Sequence, residues 1–139
     1  MISEYQKMIA GEPYHPFDSE LRALAQVSRQ KQAAFNREED PLKGAEIIKT
    51  WFGSTGQNLY VNPRLVVDYG VNIHLGENFY SNWNLTMLDV CPIRIGNNAM
   101  LGPCSSDDVI SQCHSRKDND ATSSPEIVSD GNGLAVFDP

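Results

Sequence analysis

Histidine is the side chain best suited to proton transfer near neutral pH, and the chain has three. Two of them, His74 and His114, lie in or after the repeated part of the sequence. His74 lies in the phrase Ile-His-Leu-Gly, where we expect it on the outer face of a strand rather than at a catalytic centre. His114 lies in the polar stretch "SSDDVISQCHSRKD", which is typical of a solvated histidine. Neither histidine has neighbours that assign it a role as a general base.

Three cysteines, Cys91, Cys104 and Cys113, are the other intrinsically reactive groups. They are too few and too scattered for a disulfide framework or a zinc site. The N-terminus "MISEYQKMIAGEPY" lacks the basic stretch and apolar core of a secretory signal, and no run of about 18 apolar residues suggests a membrane span. We expect a cytoplasmic protein with reduced thiols, no metal and no membrane partner.

The charge of the chain limits the kinds of partner that it can bind. The 139 residues fit one domain with a small appendage, and their formal charge is −7. Such a balance argues against nucleic acid, whose phosphates require a basic surface. Residues 1–103 hold 11 acids and 9 bases, whereas residues 104–139 hold 7 and 2. The acidity therefore belongs mainly to the last segment.

Residues 1–56 are predicted to form helices that pack on the rest of the chain. Ser3 with Gln6 forms a capping box, Asp18 caps a second helix, and Asp40 with Pro41 begins a third. The last two helices carry apolar stripes at helical spacing. These stripes contain Leu21, Leu24, Val27 or Ser28, Ala34 or Phe35, and then Leu42, Ala45, Ile48, Trp51 and Phe52, with Gly53 ending the third helix.

Residues 57–103 change to short strands that are punctuated by Gly and Asn about every six residues. The phrase "NIHLGENF" at 72–79 returns as "PIRIGNNA" at 92–99, so that Gly76 and Gly96 are 20 residues apart. This spacing suits a hexapeptide-repeat β-helix with three strands of about six residues in each coil and two residues looping out. A small antiparallel sandwich is the alternative, although no Asn-Gly hairpin turn is present.

Residues 104–139 are rich in Ser and Asp and poor in large apolar side chains until the last six positions. Such a composition buries too little surface to offset the entropy of the chain. We expect a mostly disordered acidic tail, with the repeat ending at Pro103.

Two motifs in this order resemble the maltose and galactoside O-acetyltransferases over roughly residues 1–103. "KMIAGEPYHPFDSELRAL" resembles the N-terminal signature of their helical Mac domain, and "DYGVNIHLGENFYSNWNLTMLDVCPIRIGNNAMLGP" resembles the entry into their β-helix. The resemblance implies an α+β fold, with a helical Mac domain at 1–56 and the start of a left-handed parallel β-helix at 57–103. The tail at 104–139 would follow.

The resemblance also implies a reaction and a set of site residues. The family transfers an acetyl group from acetyl-coenzyme A to a sugar hydroxyl, with a histidine as general base and active sites between the subunits of a homotrimer. The acceptor-binding candidates are Asp18, Tyr80, Asn82 and Asp89. Each also has a structural alternative: Asp18 as a helix cap, Tyr80 as a surface aromatic, Asn82 as a turn residue, and Asp89 as an acceptor of backbone hydrogen bonds.

The chain departs from the family pattern after Pro103. Relatives continue into another strand and then Thr-x-Thr-His-Pro, whose histidine is the base, whereas this chain reads "CSSDDVISQCHSRKD". His114 lies within a few positions of the expected place, but Gln112 and Cys113 precede it and Ser115 replaces the proline. The catalytic residue therefore stays unassigned.

The departure also bears on stability and on function. Later coils of the family pattern are not found, and residues 71–103 would supply fewer than two coils where about three are usually needed for stability. We expect a marginally stable family member with impaired activity and a doubtful trimer. The alternative is a non-catalytic, truncated paralogue that binds sugar or joins oligomers.

Overall fold

The computed structural model describes residues 2–102 and 109–111. Three helices come first: α1 (Glu4–Ile9), α2 (Ser19–Arg37) and α3 (Pro41–Lys49). Eight short strands follow, namely β1 (Leu59–Val61), β2 (Leu65–Val67), β3 (Ile73–Leu75), β4 (Phe79–Ser81), β5 (Leu85–Leu88), β6 (Ile93–Ile95), β7 (Met100–Leu101) and β8 (Val109–Ser111). Within this part of the chain, no helix is both long enough and apolar enough to cross a bilayer.

The helices begin where their capping residues predict. Ser3 and Gln6 form the reciprocal capping box of α1, while the carboxylate of Asp18 and that of Asp40 accept backbone N–H bonds at the starts of α2 and α3. Helix α3 ends earlier than predicted, at Lys49 rather than next to Gly53.

The apolar stripes are confirmed at most positions but not at all of them. Ser28 and Phe35 of α2 are buried, whereas Val27 is 49% exposed. Leu42 was predicted to lie on the apolar face of α3, but it is 79% exposed. Because α3 ends at Lys49, the buried Trp51 and Phe52 belong to the turn after the helix and not to its stripe.

The strands form three short parallel sheets, ordered β1-β4-β7, β2-β5-β8 and β3-β6. Leu59 pairs with Phe79, Leu65 with Leu85, and Ile73 with Ile93, so that the first two strands of each sheet have the same 20-residue register. The chain therefore passes through all three sheets once before it returns one strand higher. Residues 59–75 and 79–95 make two complete coils, which is more than we expected because the first coil begins at Leu59.

One apolar core runs through the middle of the three sheets. The strands alternate between buried and more exposed positions, so that each contributes its inward residues to the same cluster. The buried members of that cluster from the strands are Val61, Leu65, Val67, Ile73, Leu75, Phe79, Leu85, Met87, Ile93, Ile95 and Leu101. The antiparallel sandwich is excluded, since every strand pair in the described structure is parallel.

The third coil continues past Pro103, where we expected the repeat to end. Strand β8 pairs with β5, but Thr86 lies opposite Val109, which is 23 positions later instead of 20. The connection from β7 to β8 is therefore three residues longer than the repeat requires. Strand β8 is the described part of residues 104–139, and the expectation of a mostly disordered tail otherwise falls on residues outside the described ones. Cys91 is disulfide-bonded, which corrects the expectation of reduced thiols.

The outer edge of the first coil is capped by segments that precede it. Asn36 of α2 donates from its side-chain amide to the Leu65 carbonyl at 3.0 Å and accepts from the Leu65 amide at 2.9 Å. Gln32 accepts from the Val67 amide at 3.0 Å. Ser54 forms an isolated parallel bridge with His74 on β3. Backbone groups of β2 and β3 that have no lower strand are thereby satisfied.

The corners of the coils depend on residues that tolerate left-handed backbone angles. Asn78, Asn84 and Asn98 have φ values of 58°, 66° and 61°. The side-chain amide of Asn78 also donates to the side-chain oxygen Oδ1 of Asn98 at 2.8 Å, which links equivalent corners of successive coils. At Gly70, with φ of 78°, a Cβ atom would collide with the indole of Trp51.

Replacing Asn36 with Ala should destabilise the protein by about 1–3 kcal/mol, because both backbone groups of Leu65 lose their partner. The free energy of unfolding, measured by urea titration, checks this. Gln30→Ala is the matched control, because Gln30 is an exposed position of the same helix. Equal stability of the two variants would contradict the capping role of Asn36.

Candidate functional site

A cleft of about 1110 Å³ separates α2 from the corner that connects β2 to β3. One wall consists of the loop before α2 and the polar side of that helix. The opposite wall is formed by Val67, Asp68 and Tyr69, together with Val90 from the coil above. The cleft is therefore built between the helical segment and the first two coils.

Aromatic side chains give the cleft an apolar lining. Tyr14 and Phe17 come from the loop before α2, and Tyr69 from the β2–β3 corner. Phe17 is 74% exposed and makes an edge contact with the ring of His15. Concave sites that combine ring surfaces with polar groups are typical of small-ligand binding.

The charged groups in the cleft are two arginines and one carboxyl. Arg22 and Arg29 both line it from α2, and Gln26 lies between them. Within residues 2–102, the ion pairs are Glu4 with Lys7 and Glu46 with Lys49, and neither arginine takes part. Opposite the arginines, partial burial raises the pKa of Asp68 above its ordinary value.

Asp89 lies beneath this wall and organises it. Its side chain is fully buried. One oxygen accepts from the amides of Asp68 at 3.1 Å and Tyr69 at 2.8 Å, and the other accepts from the amide of Asn72 at 3.2 Å. Burial raises the pKa of Asp89, and the backbone N–H donors partly oppose that rise.

Asn72 and Tyr5 extend this arrangement to the first helix. The side-chain amide of Asn72 donates to the Asp89 carbonyl at 2.8 Å, while its oxygen accepts from the Tyr5 hydroxyl at 2.6 Å. Burial, followed by the negative charge of Asp89, raises the pKa of Tyr5. These hydrogen bonds thus connect α1 to the β2–β3 corner, which forms one wall of the cleft, and to the second coil.

The four predicted acceptor residues fall into two places. Asp18 lies between two cleft-lining residues, Phe17 and Ser19, and its carboxylate accepts from the amides of Glu20 and Leu21 at 3.0 and 3.5 Å. Asp89 supports the opposite wall. The structure therefore brings both carboxylates to the borders of one cleft, although neither lines it.

Tyr80 and Asn82 lie elsewhere, on and just after β4, and neither lines the cleft. The Tyr80 ring stacks on Tyr60 with centroids 5.5 Å apart, and Asn82 donates its backbone amide to the Leu101 carbonyl at 3.1 Å. The acceptor-binding role of all four residues stays a prediction.

The two histidines are also in different situations. His74 lies on β3, where its Nδ1 is 2.8 Å from the Ser54 hydroxyl. Partial burial, and then the charge of Arg94, lower the pKa of His74. His114 lies outside the described residues.

Among those that are described, no group of three His, Cys, Asp or Glu side chains could hold a metal ion.

Three residues of the cleft were missed by sequence reasoning, namely Arg22, Arg29 and Asp68. The two arginines are seven positions apart, which places them on one side of a helix, and this spacing could have been noticed. Asp68 carries no local signal, because its place in the cleft depends on the packing of α2 against β2.

The comparisons with known proteins agree on one family. Residues 7–56 match the maltose acetyltransferase hexapeptide capping motif. A relative from Dictyostelium discoideum is 49% identical over 102 residues, which cover 73% of this chain and 54% of the relative. The chain spans about half the length of the curated relatives that it matches.

Two solved structures support the same grouping. A maltose O-acetyltransferase from Clostridium difficile is 38% identical with a TM-score of 0.70, over 73% of this chain and 55% of that one. A galactoside acetyltransferase in complex with coenzyme A is 28% identical with a TM-score of 0.72, over 81% of this chain and 56% of that one.

Asp89→Ala should lower the free energy of unfolding by about 3 kcal/mol or more, because three backbone N–H groups, one buried and two partly buried, lose their acceptor. Urea unfolding measures the loss, and tyrosine fluorescence or NMR of the Tyr69 amide follows the corner itself. Asp40→Ala, which removes an exposed helix cap, is the control and should cost about 1 kcal/mol. A smaller loss at Asp89 than at Asp40 would contradict its organising role.

Asp68→Asn should change the pH dependence of stability in a direction set by the raised pKa of Asp68. The folded state holds the proton more tightly than the unfolded state, so this carboxyl contributes stability below its unfolded pKa and loses that contribution as the pH rises through the folded pKa. The advantage of the wild type over the variant should therefore shrink between about pH 4 and neutrality.

Urea titrations at several pH values test this, with Glu39→Gln as a control that removes one exposed carboxyl. A wild-type advantage that grows with pH would show that Asp68 titrates in the opposite sense.

Proposed function

This chain belongs to the family of maltose and galactoside O-acetyltransferases, and we propose that it transfers an acetyl group from acetyl-coenzyme A to a sugar hydroxyl at low turnover. The observation that carries the proposal is the order of its parts: the capping motif at 7–56 leads directly into coils with a constant 20-residue register. The cleft lies where these two parts meet.

The proposed chemistry is an acyl transfer in which a general base removes the proton of the attacking hydroxyl. The sugar oxygen forms a bond to the acetyl carbonyl carbon, the carbon–sulfur bond breaks, and coenzyme A leaves as the thiol. The coenzyme A complex of the galactoside acetyltransferase supports this donor. Positioning of the hydroxyl against the thioester would supply much of the rate.

Low turnover is proposed because the residues after Pro103 depart from the family phrase that contains the base. Two positions argue for this: Cys113 precedes His114, and Ser115 stands where the family has proline. In favour of some activity, β8 adds a third-coil strand only three residues before His114. A misplaced base would cost about 100-fold or more in rate.

Several finer features of the family are proposed for this chain on the same grounds. The coils would turn with the left-handed sense of the family, and the constant parallel register supports a solenoid of that kind. A homotrimer would use the outward side chains of Tyr60, Tyr80 and Met100, of which Tyr60 and Met100 are 41% and 51% exposed. A cytoplasmic location is proposed from the family resemblance, and the disulfide at Cys91 argues against it.

A non-catalytic sugar-binding or oligomerisation module is the second candidate. The altered residues around His114 favour it, since they remove the family's catalytic phrase while the cleft is retained. The two candidates differ in whether bound sugar is ever acetylated.

Thiol release from acetyl-coenzyme A, with glucose, maltose or a methyl galactoside as acceptor, tests the proposal. We expect acceptor-dependent release at least about 100-fold slower than that of a longer relative assayed in parallel. Turnover equal to that of the relative would contradict the proposed impairment. Sugar binding without acceptor-dependent thiol release would contradict the proposed enzyme and favour the non-catalytic module.

A further inference from the structure

We infer, on the premise of the proposed acetyl transfer, that the cleft between α2 and the β2–β3 corner takes an acidic sugar as acceptor, either a sugar phosphate or a uronic acid. The inference concerns the class of the acceptor. It rests on the two arginines in the cleft, Arg22 and Arg29.

The arginines are arranged as a pair on one side of the helix. Seven positions correspond to about two helical turns, or roughly 10 Å along the axis. Gln26 lies between them and also lines the cleft, so that one polar stripe faces the opening. Both arginine side chains are exposed, and a ligand in the cleft could reach their guanidinium groups.

Neither arginine forms an ion pair within the described residues. The ion pairs of that part of the chain are formed by Lys7 and Lys49. Asp18, one turn before Arg22, directs its carboxylate to the start of α2 instead. Two guanidinium groups without a carboxylate partner form a ready site for an anion, because each presents a planar fork that matches a phosphate or a carboxylate.

The charge of the cleft contrasts with that of the chain. The whole sequence carries −7, whereas the side chains that line the cleft include two cations and one carboxyl, Asp68. The carboxylates of Asp18 and Asp89 lie at its borders, where each accepts from backbone amides. Partial burial raises the pKa of Asp68, which disfavours its negative charge. The lining of the cleft therefore carries more positive than negative side chains, and its two arginines are the groups that would attract an anionic ligand.

The remaining lining suits the sugar part of the ligand. Tyr14, Phe17 and Tyr69 provide ring surface, and Asp68 provides a group that can accept a hydroxyl proton in a hydrogen bond. A volume of about 1110 Å³ accommodates a monosaccharide with an acidic substituent and leaves room for water. A free anion would use the arginines but not this ring surface.

Calorimetric titration of the full chain with glucose 6-phosphate, glucuronate, glucose and inorganic phosphate tests the inference. We expect one or both acidic sugars to bind at least about 10-fold more tightly than glucose, and more tightly than inorganic phosphate, with an affinity that falls as salt is added. The comparison of the two acidic sugars identifies the preferred acid group.

The R22Q/R29Q double variant should bring the acidic sugars to within about twofold of glucose, because the charge preference has been removed. R22K/R29K keeps the charges without the forks and should give an intermediate affinity. Arg37→Gln is the matched control, since Arg37 is an exposed residue of the same helix that does not line the cleft.

Equal binding of glucose and the acidic sugars, or unchanged binding by R22Q/R29Q, would overturn the inference. Inorganic phosphate binding as tightly as glucose 6-phosphate would also overturn it, since the site would then recognise an anion alone.

Thiol release with the same sugars separates this inference from the proposed function. Arginine-dependent binding of an acidic sugar without any acetyl transfer would refute the function and leave the recognition intact. Acetyl transfer to glucose and acidic sugars at equal rates would support the function and refute the recognition.

Discussion

A stack of parallel coils has a first coil with nothing beneath it, and the residues before Leu59 are arranged around that constraint. Every backbone group on the lower side of β2 must find a partner or remain unsatisfied. Asn36 takes the place of a neighbouring strand by both donating to and accepting from Leu65, and Gln32 accepts from the Val67 amide. The helical segment is therefore a cap on the coils, and its position against β2 follows from hydrogen bonding as much as from apolar contact.

The cleft is a consequence of the same arrangement. Helix α2 must stay close enough to β2 for the side chains of Asn36 and Gln32 to reach the strand, and earlier residues of the same helix line the cleft. That corner is held by the buried carboxylate of Asp89, which belongs to the coil above. The walls of the cleft are thus fixed by two separate polar anchors, at Asn36 and at Asp89. A change in either anchor alters the site without touching a residue that lines it.

Local signals explain how far the sequence could be interpreted. Asp18 and Asp40 marked the helix starts, because a capping side chain bonds to amides only two or three positions away. The 20-residue register followed from Gly76 and Gly96, because identical corners must stack in a solenoid. The prediction that Leu42 faces the core was wrong, since this residue lies in the first turn of α3 and is 79% exposed, whereas Trp51 and Phe52 are buried beyond the end of the helix. Packing between segments that are distant in sequence brings Arg22, Arg29 and Asp68 to one cleft. A local sequence pattern cannot predict such packing.

The register of β8 limits how residues can be compared with the family. Up to Leu101, each strand position lies 20 residues after its equivalent in the coil below, so that correspondence by counting is sound. At Val109–Ser111 the offset is 23, and a residue of this strand assigned by the 20-residue phase falls three positions early. Counting in steps of 20 from the second coil therefore does not carry across Pro103. The sequence change after Pro103 is then partly an insertion within the third coil, and the loss of the family phrase around His114 is a separate change that the insertion does not explain.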